Sequence, residues 1–179
     1  EHRTLQDIDL KRSGVGPVRL RGYIYDRDTR ILSLGVEDKK GFKQYLDQNG
    51  GVRVYRDKVR VYDYGESGTD WLGLDSRRVN APTRGLSNNI ILAAVELSRK
   101  QSSGLVEEAN REGFVENAAY EALARAVNYG LGVIETLRVV DKSLLRKFYG
   151  PKETAQPVIT TIDKLRDLVA SDVNDDDTK

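Results

Sequence analysis

The sequence has no cysteine and no methionine, and its only histidine is His2. Without cysteine the chain forms no disulfide and offers no thiolate for catalysis or metal binding. Without an internal histidine it lacks the base of a serine-histidine triad and the imidazole ligands of most zinc sites. We therefore expect neither kind of centre, and the missing cysteines favour a reducing compartment, the cytoplasm.

Neither sign of charge is in excess, because 29 Lys and Arg face 28 Asp and Glu, a formal net charge of +1. A basic surface that covers the whole chain is therefore not expected, and any cationic site must be local. No apolar run approaches the roughly 20 residues that cross a bilayer, and the first residues contain no signal-peptide core. We expect no membrane partner.

The length of 179 residues suits one domain with an appendage. Because the chain begins with Glu1 and has no Met, we expect a further domain upstream. The predicted organisation is a linker over residues 1–14, an α/β domain over residues 15–142, and a helical extension with a charged tail over residues 143–179.

Hydrophobic periodicity predicts an α/β (α+β) fold. Apolar and polar residues alternate after Pro17, which predicts a strand, and residues 31–36 are the expected hairpin partner of that strand. A short helix is expected within residues 38–51, followed by a tight β-hairpin over residues 52–62 that turns at Asp57-Lys58.

The second half of the chain predicts longer elements. Residues 65–87 read as one long loop, and residues 90–97 as a buried central strand. A helix of more than six turns is expected from Val115 onward, because apolar residues recur there every three or four positions. A second run of apolar residues at helical spacing, a helical stripe, covers residues 159–169.

Chemical motifs are few. The chain contains no GxxxxGK[ST] phosphate-binding loop. The string DYGESG at Asp63 differs from the DxGxG box of Bergerat-type ATPases, because its second glycine is one residue too far away. Glu66 and Asp70 are an alternative acid/base pair, but carboxylates in Gly-rich loops are more often turn formers and caps.

Arginines in loops are the stronger candidates. Arg77, Arg78 and Arg84 lie in one polar segment, and Arg111 precedes the long helix. An arginine at a helix start can bind a phosphate bidentately, with free backbone amides beside it. Each can instead be a solvated charge or pair with a nearby glutamate.

The predicted strands also interleave arginine with tyrosine. Such residues can hold phosphates and stack on bases, so nucleic acid is an alternative partner, although cross-strand pairing on an ordinary outer sheet face gives the same pattern. The residues concerned are Arg19, Arg21, Tyr23, Arg53, Tyr55, Arg60 and Tyr62.

Three segments carry a family resemblance: GVRVYRDKVRVYDYG from Gly51, SNNIILAAVELSR from Ser87 and ANREGFVENAAYEAL from Ala109. Together they resemble the region after the Bergerat-type nucleotide domain in GHKL ATPases, the group of gyrase, the ninety-kDa heat-shock chaperones, histidine kinases and MutL. The likeness is greatest to bacterial heat-shock-ninety-like ATP-binding proteins and spans residues 17–140.

The resemblance implies a transducer domain with a left-handed βαβ fold and a C-terminal helical extension. It makes Arg111 the contact to the γ-phosphate of ATP, with Asn110 as a binding residue beside it and Arg84 as the alternative contact. It implies no cofactor in this chain, since ATP and Mg²⁺ belong to the upstream nucleotide domain, which is the expected partner. The chain alone should be inactive, and coupling to dimer closure or to a partner is expected. A plain dimerisation module, in which the stripe over residues 159–169 packs on a second copy, is an alternative function.

Overall fold

A computed structural model describes residues 9–80, 85–110 and 112–149. The chain divides into two compact units, Glu1–Leu144 and Leu145–Lys179, and only the end of one helix is described in the second. The elements in chain order are β1 (Arg19–Ile24), α1 (Thr29–Leu32), α2 (Lys39–Asn49), β2 (Gly51–Arg56), β3 (Val59–Val61), α3 (Leu74–Asn80), β4 (Ile91–Leu97) and α4 (Ala118–Tyr149). The predicted stripe over residues 159–169 lies outside the described residues.

Four strands form one mixed sheet in the order β1-β4-β2-β3. Strand β4 pairs antiparallel with β1 and parallel with β2, and β3 returns antiparallel to β2. The parallel pair requires a crossover connection, and the segment between these strands supplies it with β3 and α3. With the long helix α4, this sheet confirms the predicted α/β (α+β) class.

The β2–β3 hairpin forms where the sequence predicts it. Asp57 and Lys58 both adopt left-handed backbone conformations, with φ of 49° and 70°. Two successive residues of this kind match the right-handed twist of the flanking strands. The turn therefore sets the register in which Val54 lies opposite Val61.

The prediction that residues 31–36 pair with β1 is wrong. Residues 31 and 32 end helix α1, which Asp28 caps by accepting the Arg30 amide N–H at 2.9 Å. Strand β1 pairs instead with β4, and Gly22 lies opposite Ala93. A Cβ at Gly22 would lie 2.6 Å from the Ala93 Cβ, so the absent side chain allows this close approach.

The predicted loop over residues 65–87 contains helix α3. Asp70 accepts the Leu74 amide N–H at 2.7 Å and the Asp75 amide N–H at 3.0 Å. The carboxylate thereby satisfies backbone donors that the first turn leaves without partners. The capping role expected for Asp70 is confirmed.

The core lies between one face of the sheet and α4. Strand β4 alternates strictly between buried and half-buried residues. Leu123, Val127 and Leu131 follow one another at four-residue spacing on α4 and belong to the same buried cluster. The second face of the sheet is left half-exposed. The buried residues of β4 are Ile91, Ala93, Val95 and Leu97.

Candidate functional site

In the segment expected to contact phosphate, the described residues 106–110 and 112–115 form the two sides of a short β-hairpin before α4. Glu107 and Phe114 form an antiparallel bridge at its base. The Val115 amide N–H donates to the Val106 carbonyl at 2.9 Å, which adds a second connection between the two sides. We call this element the 106–115 hairpin.

The predicted site residue Asn110 lies at the exposed tip of the 106–115 hairpin. Its Nδ2 donates to Glu112 Oε2 at 2.6 Å, and its Oδ1 accepts the Glu112 amide N–H at 3.2 Å. The side chain thus orders the two residues that flank position 111. Arg111 itself and the alternative contact Arg84 lie outside the described residues.

A buried arginine anchors the base of the hairpin. Arg56 is only 8% exposed, and its Nη1 donates to Glu107 Oε1 at 3.0 Å. Its Nη2 donates to the Ser102 carbonyl at 2.8 Å, and the guanidinium carbon lies 5.6 Å from the Phe114 ring centroid. Since Glu107 and Phe114 form the bridge, Arg56 fixes both sides of the hairpin to strand β2.

An aromatic cluster around Tyr64 holds the other side of the hairpin. The Tyr64 ring stacks on Phe114 at 5.7 Å between centroids and meets Trp71 edge-on at 5.0 Å. Its hydroxyl oxygen accepts the Phe114 amide N–H at 2.8 Å. Burial raises the pKa of Tyr64 to about 12. The Tyr120 ring, on the first turn of α4, lies 6.4 Å from Tyr64 and completes the cluster.

Asn117 joins the hairpin to the start of α4. Its Oδ1 accepts the amide N–H groups of Ala119 at 2.9 Å and Tyr120 at 3.0 Å, as a helix N-cap does. Its Nδ2 donates to the Gly104 carbonyl at 3.1 Å, on the segment that enters the hairpin. One side chain therefore links the segments that enter and leave the 106–115 hairpin to the start of the helix.

The two described arginines of the 65–87 segment have structural partners. Arg77 Nη2 donates to Asn128 Oδ1 on α4 at 2.8 Å, and Arg78 Nη1 donates to the Ser87 hydroxyl. Glu66 contacts Arg60 rather than Asp70. These contacts favour the structural interpretation of Arg77, Arg78 and the two carboxylates.

The arginines and tyrosines of the strands share the half-exposed sheet face. The register places Arg19 opposite Glu96, Glu96 opposite Tyr55, and Tyr55 opposite Arg60, in one row across all four strands. Registered partners project on the same side of a sheet. A neighbouring row contains Arg21, Ala94 and Arg53, and Tyr23 lies opposite Leu92. We call this surface the Arg/Tyr face; Tyr62 follows the end of β3 and is not part of its ladder.

Sequence reasoning missed the anchoring roles of Arg56 and Tyr64. A signal for Arg56 was present, because it follows Val52 and Val54 at two-residue spacing on the buried face of β2. An arginine at that position in a strand must be paired inside the fold. The partner Glu107 lies 51 residues away, so the chain offers no local pattern that names it.

Comparisons with protein-family models, curated proteins and solved structures gave no match. In the described part of the chain, no helix has the length and hydropathy needed to span a bilayer. Over the same residues, no group of three or more His, Asp or Glu side chains is placed to hold a metal ion. The site is therefore interpreted from its own geometry and from the sequence resemblance.

Proposed function

We propose that the chain is the coupling domain of a GHKL-type ATPase, in which the 106–115 hairpin senses the terminal phosphate of ATP on an adjacent nucleotide domain. The α/β class and the three resembling segments are compatible with a transducer domain. The observation that carries the proposal is the bond of Asn117, the N-cap of α4, to Gly104 on the segment that enters the hairpin.

The role proposed for Arg111 is electrostatic. ATP and Mg²⁺ bound to the adjacent domain would supply the reacting phosphoryl group. The Arg111 guanidinium would stabilise the charge that develops on this group, since arginine remains protonated and offers several donors in one plane. Asn110 orders the flanking backbone through Glu112, which would lower the cost of presenting the arginine.

The signal would then pass into the fold through contacts that meet at the hairpin base. Arg56 and Tyr64 fix the two sides of the hairpin, and Tyr64 also contacts the ring of Tyr120 on α4. A shift of the hairpin would therefore change the packing at the start of the 32-residue helix. Packed cores of this kind move between discrete arrangements and carry such shifts to dimer closure or to a partner.

The test is ATP turnover by the polypeptide in which this chain follows its nucleotide domain. Arg111→Ala should lower turnover by about 100-fold or more, because arginines that stabilise phosphoryl transfer contribute on this scale. Nucleotide affinity should change much less. Arg125→Ala is the matched control, since Arg125 is an exposed arginine on α4 that pairs only with Glu121 among the described residues.

Three results would overturn parts of the proposal. Unchanged turnover in Arg111→Ala would make Arg111 structural, and Arg84→Ala would then be the next variant. ATP hydrolysis by this chain alone would place the catalytic centre here. A longer polypeptide without any ATPase activity would reject the coupling role altogether.

A further inference from the structure

The Arg/Tyr face has the composition of a surface that binds a polyanion. Its strands contribute four arginines and a single carboxylate, Glu96. The side chains of Arg19 and Arg21 are 70% and 65% exposed, and Tyr23 is 73% exposed. The whole chain has a net charge of only +1, so this positive charge is local.

The carboxylate at the centre of the face is shared. Arg21 Nη2 donates to both Glu96 oxygens, at 2.8 and 3.0 Å, and Arg19 lies 3.9 Å from the same carboxylate. One glutamate therefore holds two arginines side by side but neutralises only one charge. On the far edge, Arg60 contacts Glu66. The Arg21–Glu96 pair is exposed, and exposed pairs contribute little to stability, so Arg21 can contact another anion at small cost.

Tyrosines neighbour the arginines both across the strands and along them. Tyr55 lies between Glu96 and Arg60 across the strands, and Tyr23 follows Arg21 by two residues along β1. Neighbouring strands are about 4.8 Å apart, so cationic groups and rings lie close to one another on this face. Arginine binds phosphate oxygens, and a tyrosine ring stacks on any base.

We infer that the Arg/Tyr face binds single-stranded nucleic acid. A single strand exposes phosphates and base faces together, and it can lie on a flat sheet. A duplex hides its base faces and is read by helices or ribbons that enter a groove. An acidic peptide would use the arginines but gives the tyrosine rings no stacking partner. This inference is independent of the proposed ATPase coupling.

The test is fluorescence anisotropy of the 179-residue chain with a labelled oligothymidylate of 20 nucleotides, from 50 to 300 mM salt. Arg21→Ala should weaken binding and lower the slope of log K against log salt by about 0.7, the value for one phosphate contact of a single strand. Tyr23→Ala should weaken binding about fivefold or more while the salt slope stays unchanged. Glu96→Gln should tighten binding, which a folding defect cannot imitate.

Matched controls lie elsewhere on the surface. Arg125→Ala and Tyr45→Ala change an exposed arginine on α4 and a half-exposed tyrosine on α2, and both should leave the affinity unchanged. The inference is overturned if the oligonucleotide does not bind at 50 mM salt, or if these controls weaken binding as much as Arg21→Ala. Tighter binding of a 20-base-pair duplex, or equal binding of a polyglutamate peptide with no effect of Tyr23→Ala, would also reject it.

Discussion

The Tyr64 hydroxyl oxygen accepts the amide N–H of Phe114 at 2.8 Å, across 50 positions of sequence. Both side chains are almost fully buried, and their rings stack. The bond links the segment after the β2–β3 hairpin to the 106–115 hairpin. Any movement of the hairpin must either carry Tyr64 along or break this bond.

Replacing Tyr64 should therefore reduce stability more than replacing an exposed tyrosine does. In Tyr64→Phe the buried Phe114 N–H loses its acceptor, and the free energy of unfolding should fall by about 1–3 kcal/mol. Tyr23→Phe, which alters an exposed ring, should change it by less than about 0.5 kcal/mol. Urea denaturation of both variants measures the difference, and equal values would show that the bond contributes nothing.

The same tyrosine predicts a dependence of stability on high pH. Its pKa is raised in the fold to about 12, above the ordinary value of about 10. The protonated form is thus favoured by folding, and its contribution is complete below about pH 10 and is lost as the pH rises toward 12. Denaturation between pH 9 and 12 should show a shallower loss of stability in Tyr64→Phe than in the unchanged chain. Parallel curves would contradict the burial of the hydroxyl.

The buried pair Glu107–Arg56 should contribute more to stability than the exposed pair Glu121–Arg125. Glu107→Ala leaves the buried Arg56 without its carboxylate and should lower the free energy of unfolding by about 1.5–3 kcal/mol. Glu121→Ala removes a partner of Arg125 on the exposed surface of α4 and should cost less than about 0.5 kcal/mol. The comparison is made by urea denaturation at one pH. A loss for Glu107→Ala no larger than that for Glu121→Ala would contradict the anchoring role of Arg56.

Two substitutions should separate the contributions that Asn117 makes to stability as the N-cap of α4 and as the donor to Gly104. Asn117→Ala removes the acceptor for the Ala119 and Tyr120 amides and should cost about 1–2 kcal/mol. Asn117→Asp keeps that acceptor but loses the donor to the Gly104 carbonyl, so its loss should be smaller. Thermal and urea unfolding of both variants measure the two losses of stability. An aspartate variant as unstable as the alanine variant would show that the cap is not the main contribution.

Helix α4 offers a matched pair of leucines. Leu123 is fully buried against the sheet, and Leu123→Ala should lower the free energy of unfolding by about 2–5 kcal/mol. Leu137 is 61% exposed, and Leu137→Ala should change it by about 0.5 kcal/mol or less. Similar losses in the two variants would mean that α4 packs on the sheet through a different face.

The sequence predicts those parts of the fold whose signals are local. Asp57-Lys58 between two alternating runs fixes the β2–β3 hairpin, and the apolar spacing after Val115 indicates α4. The pairing of β1 with β4 joins residues about 70 positions apart, and no local pattern specifies it. The nearer apolar run at residues 31–36 was therefore assigned wrongly as the partner.

The sequence names the candidate site but not the contacts that hold it, and the role of this site as a phosphate contact stays a prediction. The loop before the long helix was identified from Asn110-Arg111-Glu112, and the described residues place Asn110 and Glu112 at a hairpin tip. The anchors of that hairpin, Arg56 and Tyr64, come from distant positions and depend on tertiary packing. The two-residue spacing of Val52, Val54 and Arg56 indicates a core position for Arg56, but only tertiary packing brings Glu107 to it.

The most direct measurement of the coupling claim is hydrogen exchange of the longer polypeptide that would include the proposed nucleotide domain, with ADP or with a non-hydrolysable ATP analogue. The Phe114 amide donates to the Tyr64 hydroxyl and the Val115 amide donates to the Val106 carbonyl. Both amides should exchange more slowly with the ATP analogue than with ADP. The Gly50 amide, which donates to Leu46 at the end of α2, should exchange equally in both states. Equal exchange of Phe114 and Val115 in the two nucleotide states would contradict the account.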